Sequence, residues 1–169
     1  DNPHLTVVAG QMTLKSFSID RLSSVNLSSV RDNCAAVPNV DFTSRGAKTI
    51  GTDALGQPIY KYNGIHETDA SGVLALSNME WDTYNFTMTD ADYDLSGTVS
   101  PLPILLSPGS SQDVTFVVAP KNPQALLVSV KDSSSNLPIT GATVNLTGGA
   151  GYDTTYITGR GYLSQTNWQ

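Results

Sequence analysis

Three aspartates at alternate positions of one acidic run could bind calcium. The run, residues 89 to 97, reads TDADYDLSG, and carboxylates at every second position are ligands in the first half of an EF-hand loop. The sixth position, however, is Leu95 where that loop needs glycine, and no glutamate stands at the twelfth. The sequence therefore leaves two interpretations, a weak calcium site and an acidic strand end without metal, for Asp90, Asp92 and Asp94.

Aromatic side chains recur along the chain and could form a platform on which a sugar ring stacks. Trp81 could equally fill the base of a β-sandwich beside Leu76, at the start of the strand sequence WDTYNF. We favour the packing role because the sequence of the second half of the chain resembles that of the first, and Trp168 stands there where Trp81 stands in the first half. A position shared by both halves indicates a shared role. The residues with which the alternative platform would contact a ligand or partner are Tyr60, Tyr62 and Trp81.

One cysteine and three glycosylation sequons are candidates for covalent chemistry. Cys34 has no second cysteine here with which to form an internal disulfide, so it is either a small half-buried apolar residue or a thiol that bridges to a partner or to a part of the natural chain outside this sequence. The number of sequons is near chance for a chain so rich in Asn, Ser and Thr. Strand alternation predicts that their asparagines point outward, where a glycosylating host could modify them: Asn26, Asn85 and Asn145.

No set of residues has the spacing of a catalytic or metal site. His4 and His66 are far apart, and neither stands at ligand spacing from the other or from Cys34. The sequence has neither the nucleophile motif of α/β-hydrolases nor a zinc-protease helix. We therefore expect no enzyme and no cofactor, and we expect His66 to be a solvated residue beside Glu67.

The composition is typical of an extracellular β-protein. Apolar residues make up 39% of the 169 residues and charged residues only 14%, and Ser, Thr, Asn and Gly take the place of the missing charge. The formal net charge of −6 argues against binding to nucleic acid or to an anionic membrane surface. No apolar run approaches the roughly 18 to 20 residues that span a bilayer. The chain begins without a signal peptide, so we expect a mature or trimmed product.

Apolar residues alternate with polar ones through most of the chain, which predicts β-strands. Turn sequences such as DASG (69 to 72) separate the runs, and many short strands at this spacing indicate a β-sandwich. We expect loops at residues 46 to 58 and 89 to 101 that are free to contact partners. The strands are expected around Phe17 and Ile19 and near residues 25–27, 40–42, 59–62, 73–76, 84–88, 104–106, 114–118 and 126–130.

Two prolines near residue 120 mark a boundary, after which the first half of the sequence is repeated. The sequence SVRD at residues 29 to 32 matches SVKD at residues 129 to 132. Matches in one order indicate tandem copies of one sandwich, with a module at 1–119, a linker at 120–125 and a second module at 126–169. Further matches superpose Val40 on Val144, Phe42 on Leu146, Gly72 on Gly161, Leu74 on Leu163 and Trp81 on Trp168.

The second copy is incomplete, because it has no counterparts of the strands near residues 104–106 and 114–118. Half a sandwich leaves apolar surface in water at a cost of about 25 cal/mol per Å². We therefore expect either that the natural protein continues past Gln169 or that a neighbouring chain supplies the missing strands by strand exchange.

The motifs of both halves resemble known extracellular modules. The pattern V-x-F, T-D-x-S-G and L-x-N-x-E-W-D-x-Y-x-F of the first half is similar to prealbumin-like modules of the carboxypeptidase-regulatory-like and collagen-adhesin B-type families. The second half, with LLVSVKD, LPITGATVNLTG and TGRGYL, resembles the carboxypeptidase-regulatory-like repeat. Their tandem arrangement resembles extracellular regions of bacterial pilin-like proteins, although a type IV pilin would begin with a long apolar helix.

This resemblance implies two immunoglobulin- or prealbumin-like β-sandwich modules and a non-enzymatic role on the bacterial cell surface. We expect a structural or adhesive module of a pilus-like filament, whose partners are other subunits of the assembly. Two alternatives remain. One is a carbohydrate-binding module that uses Tyr60 and Tyr62 beside Trp81, and the other is an accessory module of a secreted enzyme.

Overall fold

The computed structural model describes residues 6–14, 20–135, 137–159 and 161–165 of an all-β protein, as the alternation predicts. The expected strand at Phe17 and Ile19 and the place of Trp168 lie outside these residues. Among the described residues the one helix is a 3-10 turn at Gly149–Gly151, and no helix is long and apolar enough to cross a membrane. The strands are β1 (Ser23–Val30), β2 (Asp41–Gly46), β3 (Thr49–Thr52), β4 (Pro58–Tyr60), β5 (Asn63–Glu67), β6 (Val73–Met79), β7 (Asp82–Met88), β8 (Tyr93–Val99), β9 (Ile104–Leu106), β10 (Ser111–Pro120), β11 (Leu126–Ser129), β12 (Thr143–Thr147), β13 (Asp153–Ile157) and β14 (Tyr162–Gln165).

Eight strands form a two-layer assembly that we call the N-terminal sandwich. Its first sheet has the strand order β6-β1-β10-β8, and its second sheet has the order β5-β2-β7-β9. Strands β1 and β10 are parallel, whereas the other neighbours are antiparallel. Because successive side chains of a strand point to opposite faces, one set from each strand meets between the two sheets and forms the core.

Three phenylalanines fill the centre of this core. Phe42 from β2 lies 5.2 Å from Phe116 of β10 and 6.1 Å from Phe86 of β7, measured between ring centroids. The tilted and edge-to-face geometries are those that aromatic quadrupoles favour. The remaining buried apolar residues of the core are Val25, Leu27, Val37, Val40, Leu76, Met79, Tyr84, Leu102, Ile104, Leu106, Val114 and Val118.

The buried hydroxyls of Ser29 and Thr68 form hydrogen bonds that hold the segment between β1 and β2 against both sheets. Ser29 Oγ donates to the carbonyl of Val37 over 2.6 Å and lies 3.0 Å from Thr68 Oγ1, which accepts from the amide of Val40 over 2.9 Å. Gly72, in the turn directly before β6, lies in the left-handed region at φ 74, and a Cβ there would lie 2.8 Å from the carbonyl oxygen of Val37. Only glycine fits this close approach without strain.

Strands β11 to β14 form a smaller assembly that we call the C-terminal unit. It contains two antiparallel pairs, β11 with β14 and β12 with β13. These pairs follow the same chain order as β1 with β6 and β2 with β5 in the N-terminal sandwich. Residues 121 to 125, which join the two assemblies, contain no strand. The limits of the two modules remain a prediction from sequence.

The C-terminal unit lies against the β8 edge of the sandwich. The ring of Tyr162 covers Gly97, where an added Cβ would lie 3.6 Å from the tyrosine side chain, and the tyrosine hydroxyl accepts a hydrogen bond of 2.8 Å from Thr98 Oγ1. Lys131 Nζ donates to the carbonyl of Leu102. Strand β14 therefore lies beside β8, and glycine at position 97 makes room for the aromatic ring.

Hydrogen bonds show how the C-terminal unit corresponds to the sandwich. The amide of Ser29 donates to Gly72 O, and the amide of Val130 donates to Gly161 O in the same way, at 2.8 and 2.9 Å. Val130 is therefore the counterpart of Ser29, one residue away from the superposition of SVKD on SVRD. That superposition was wrong because it aligned identical residue types and ignored which face of the strand each residue occupies.

The predicted superposition of Val40 on Val144 is also shifted along the strand. Val40 exchanges hydrogen bonds with Thr68, whose amide donates to Val40 O, and Ala142 makes the same pair of bonds with Thr158. Ala142 is therefore the counterpart of Val40, and the match of Val40 to Val144 was two residues off. A shift of two preserves the inward face, so the alternation alone could not reveal it.

The two predicted loops differ from the structure. Residues 93 to 99 form β8, an edge strand of the first sheet, so the expectation of a loop across 89 to 101 was wrong. Residues 49 to 60 form a two-stranded ribbon of β3 and β4, whose side chains are almost all exposed.

Candidate functional site

One groove of the described chain lies on the outer face of the second sheet, beside the β3–β4 ribbon. It has a volume of about 370 Å³ and is lined by Arg45, Tyr60, Thr83 and Asn85, among others. Arg45 lies opposite Asn85 in the pairing of β2 with β7, so both side chains stand on the same face. The guanidinium of Arg45 lies over the Tyr60 ring, with Cζ 4.2 Å from the centroid. This cation–π contact occupies one face of the tyrosine ring.

Trp81 is a surface residue and does not fill the sandwich base. It lies directly before β7, and its side chain is 44% exposed, whereas Asp82, Tyr84 and Phe86 point into the sandwich. The expected packing role was wrong because the inward alternation begins one residue after the tryptophan. Lys48 Nζ lies 3.2 Å from the centre of the indole and donates to the Trp81 carbonyl over 2.5 Å.

The three candidate contact residues do not form one open aromatic platform. Tyr62 is partly buried and packs edge-on against Tyr84 with 5.3 Å between centroids. Burial raises the pKa of Tyr84 to about 12, with Asp82, Tyr62 and Glu80 adding to the shift, and its hydroxyl donates to the Glu80 carbonyl. Tyr60 and Trp81 remain at the surface, each with a cation over its ring.

Asp90 is a buried anchor for the backbone around it. Its Oδ1 accepts from the amides of Asp92 and Tyr93 at 2.7 and 2.9 Å, and its Oδ2 accepts from the amide of Asp41 at 2.9 Å. Burial alone would raise the pKa of Asp90, but these amides and the nearby Lys121 outweigh it and hold the pKa below its usual value.

The acidic run does not converge on a metal site. Asp92 is exposed, and Asp94 Oδ2 accepts from the amide of Asn122 over 3.2 Å. Throughout the described residues no group of three or more His, Cys, Asp or Glu side chains is arranged to hold a metal ion. Calcium binding at Asp90, Asp92 and Asp94 therefore stays a prediction from sequence, and the geometry gives Asp90 a structural role.

A serine–histidine pair is the contact that sequence reasoning missed. Ser44 Oγ and His66 Nε2 lie 2.7 Å apart and share a hydrogen bond, and the imidazole lies 5.3 Å from the Phe42 ring. The expectation of a solvated His66 was wrong. Its neighbour Ile65 points outward and is 85% exposed, which reverses the orientation that hydrophobicity would predict. The register of β5, with Phe42 directly opposite His66, fixes this orientation.

This pair has the atoms of a nucleophile and a base without the access that catalysis needs. Ser44 is completely buried, and burial lowers the pKa of His66. The second neighbour of Nε2 is the Tyr62 hydroxyl at 3.5 Å, and among the described residues no carboxylate bonds to the imidazole. A substrate would have to enter the sandwich core to reach the serine hydroxyl, so the pair acts in packing.

The remaining candidates lie at the surface. Cys34 is exposed in the turn after β1, at φ 66, so it is not the half-buried apolar residue that was one of its two interpretations. Asn85 and Asn145 are exposed on β7 and β12, as the alternation predicts. Asn26 is also exposed, but its Nδ2 donates to Asp113 Oδ1 over 2.9 Å. Bridging by Cys34 and glycosylation of the asparagines stay predictions.

Comparisons with known proteins give matches only among solved structures. No family model matches the chain, and no curated protein matches it. A streptococcal ancillary pilin is 15% identical, with a TM-score of 0.43 over 88% of this chain and 50% of that one. The C-terminal domain of the shaft pilin SpaA from Lactobacillus rhamnosus GG is 15% identical, with a TM-score of 0.36 over 59% of this chain and 98% of that one.

The major pilin subunit BcpA of Bacillus cereus is 18% identical, with a TM-score of 0.32 over 74% of this chain and 36% of that one. The chain thus spans half the length of the streptococcal pilin and about a third of BcpA. Similarities this distant assign no role to any residue.

Proposed function

We propose that the chain is a non-enzymatic structural module of a bacterial surface filament, and that its N-terminal sandwich bears tension along the filament. The observation that carries this proposal is the parallel pairing of β1, the first strand of the sandwich, with β10, the last one. Its partners are other subunits of the assembly, and its place is the cell surface. The low charge and the resemblance to pilin-like modules support the same role.

Parallel pairing of the first and last strands determines how a pulling force acts on the sandwich. The chain enters β1 at one end of the first sheet and leaves β10 at the opposite end, with Ser24 opposite Ser111 and Val30 opposite Val117. Tension along the chain therefore runs parallel to both strands and loads all hydrogen bonds of the ladder together. An antiparallel hairpin that is pulled from one end opens its bonds one after another.

Side chains reinforce this ladder on its outer face. Three cross-strand hydrogen bonds of 2.9 Å each join Ser24 to Ser111, Asn26 to Asp113 and Ser28 to Thr115. Each bond between exposed side chains contributes modestly, at most about 1 kcal/mol. Their value under load lies in their orientation across the two strands that the force would slide past each other.

The test is to pull the sandwich in two directions. Handles on Asp20→Cys and Gln124→Cys, in a Cys34→Ser background, load β1 and β10 in shear. Handles on Asp20→Cys and Glu80→Cys in the same background peel β6 from β1, because Met79 at the end of β6 lies opposite Ser23. We expect a clearly higher unfolding force in shear. Equal forces in the two directions would remove the basis of the proposal.

The carbohydrate-binding alternative receives less support. Cations lie over the rings of Tyr60 and Trp81, and Tyr62 packs against the core, so the open stacking surface that this function needs is not formed.

A further inference from the structure

We propose that the outer face of the second sheet binds an extended segment of a partner protein, which carries a carboxylate and, about three residues away, an apolar side chain. The carboxylate binds Arg45, and the apolar side chain lies against Leu105 and Leu137. The proposal deepens the proposed function, on which it rests, by naming the surface and the chemistry through which a neighbouring subunit attaches.

Two adjoining grooves form this surface. The groove beside the β3–β4 ribbon has Arg45 in its lining, and the second groove has a volume of about 400 Å³. Thr83 and Pro103 line both grooves, so one ligand can occupy the two together. The second groove is also lined by Leu105 of β9 and by Leu137, which lies between β11 and β12.

Strand pairing places the polar groups of the first groove side by side. Arg45 of β2 lies directly opposite Asn85 of β7, and Thr83 points to the same face because it stands two residues before Asn85. Leu105 of β9 lies opposite Thr83, so polar and apolar side chains follow one another across this face. Adjacent strands lie about 4.8 Å apart, and the distance from β2 across β7 to β9 is therefore about 10 Å.

Arg45 is a charge without a counter-ion among the described residues. The one ion pair found there joins Lys61 to Glu80, whereas the guanidinium of Arg45 has the ring of Tyr60 as its contact. None of the described residues that line the two grooves is acidic. The chain as a whole has a net charge of −6, so an uncompensated cation in a groove without acids favours an anionic ligand.

The ring of Tyr60 holds Arg45 ready for binding, with the guanidinium Cζ 4.2 Å from the ring centroid. The donors of a guanidinium lie in its plane, so a ring against its face leaves them available to two carboxylate oxygens at once. A side chain that is already held in place loses less conformational entropy when the ligand binds. The side chains of Thr83 and Asn85, which make no hydrogen bond within the described part of the chain, can bind backbone groups of the ligand.

The second groove determines the class of ligand. Leu105 is 64% exposed and Leu137 is 55% exposed, and Pro101 and Pro103 lie beside them. An acidic sugar would satisfy Arg45 but would leave this apolar surface in water. A peptide satisfies both grooves, because covering apolar surface favours binding in proportion to the area removed from water. An extended chain advances about 3.3 Å per residue, so the two contacts are about three residues apart.

A blocked and labelled five-residue peptide is the direct probe, with glutamate at its first position, leucine at its fourth and serine elsewhere. We expect it to bind the complete chain, measured by fluorescence anisotropy. Replacing the glutamate by glutamine, or the leucine by serine, should weaken binding about tenfold, because each change removes one of the two contacts. Binding should also weaken as the salt concentration rises, since salt screens exposed charges.

Two arginines provide a matched pair of protein variants. Arg45→Met removes the charge at the groove and should weaken peptide binding about tenfold or more. Arg31 also lies over a tyrosine ring, with Cζ 6.0 Å from the centroid of Tyr93, but it lines neither groove. Arg31→Met changes the net charge by the same amount and should bind the peptide as the unchanged chain does. Circular dichroism checks that both variants remain folded.

Leu137→Ser tests the apolar groove. It should weaken binding of the leucine-containing peptide several-fold and leave binding of the serine-substituted peptide unchanged, because that peptide has no apolar side chain to cover. Equal effects on the two peptides would overturn the contact that the inference assigns to this groove.

The inference is overturned if the peptide does not bind up to its solubility limit, if its glutamine form binds equally well, or if Arg31→Met weakens binding as much as Arg45→Met. Glucuronate that binds as tightly as the peptide and depends equally on Arg45 would assign the surface to an acidic sugar and also overturn it. Dimers of the chain that Arg45→Met dissociates would do the same, because a second copy then occupies the surface. The pulling experiment on β1 and β10 does not involve this face, so failure of the inference and failure of the proposed function are separable.

Discussion

Removing the hydroxyl of Tyr162 tests whether the C-terminal unit is joined to the sandwich in solution. This hydroxyl accepts the hydrogen bond of Thr98, whose side chain is 3% exposed. Tyr162→Phe keeps the ring over Gly97 but leaves the Thr98 hydroxyl buried without that acceptor. Leaving a buried polar group unsatisfied costs about 1–3 kcal/mol, so we expect the free energy of unfolding to fall by about that amount.

A double-mutant cycle isolates the contact from the other effects of each substitution. Thr98→Val removes the donor, and combining it with Tyr162→Phe removes both polar groups from the same place. The double variant should be more stable than the sum of the two single effects predicts, because replacing both partners by apolar groups of the same shape is nearly neutral. The expected coupling is about 1 kcal/mol or more.

Urea unfolding followed by tyrosine and tryptophan fluorescence measures these energies, provided that the slope with denaturant is unchanged. A coupling below about 0.5 kcal/mol, which is within the error of additivity for independent sites, would show that the two hydroxyls do not meet in solution. The placement of β14 beside β8 would then be refuted.

Three further predictions concern the sandwich and are measured by urea unfolding. Phe116→Ala should lower stability by about 3–5 kcal/mol because it empties the centre of the core, and a loss below about 1 kcal/mol would contradict that placement. Gly72→Ala should cost more than Gly56→Ala: both glycines have positive φ, worth about 1–2 kcal/mol for alanine, but only at Gly72 would the Cβ meet backbone, 2.8 Å from Val37 O. Equal costs would show that the close approach is absent. Because burial lowers the pKa of His66 below 6.5 in the folded chain, protonation favours the unfolded chain. Stability should be level above pH 6.5 and fall as the pH drops below it, and His66→Gln should remove this part of the slope; an unchanged slope would contradict the partly buried position of the imidazole.

Alternation of apolar and polar residues was sufficient to predict the all-β fold and most strands. It succeeded at Phe42, Phe86 and Phe116, where each inward position carries a residue that only a core accommodates. It failed where the inward residue is polar or small. In strand β8, Gly97 and Thr98 lie at the positions that Tyr162 covers. Because one of these residues is small and the other is polar, the sequence of β8 resembles that of a turn.

The candidate site was less predictable because it depends on contacts between distant segments. Ile65 should point inward on hydrophobicity alone, but the pairing of β5 with β2 places His66 there and leaves the isoleucine in solvent. Trp81 lies one residue before the inward alternation of β7, and the cation over its ring comes from Lys48, far away in sequence. No local pattern contains that information.

The β3–β4 ribbon has a consequence for how the protein surface can change. Its tip is closed by Asp53, whose Oδ1 accepts the amides of Leu55 and Gln57 at 2.8 Å, and Leu55 itself is 85% exposed. Residues inserted at this tip would displace no buried side chain, and each doubling of loop length costs only about 0.6 kcal/mol in closure entropy. The ribbon is therefore a display position, where foreign epitopes can be grafted and natural sequence drift can accumulate while the scaffold beneath stays intact.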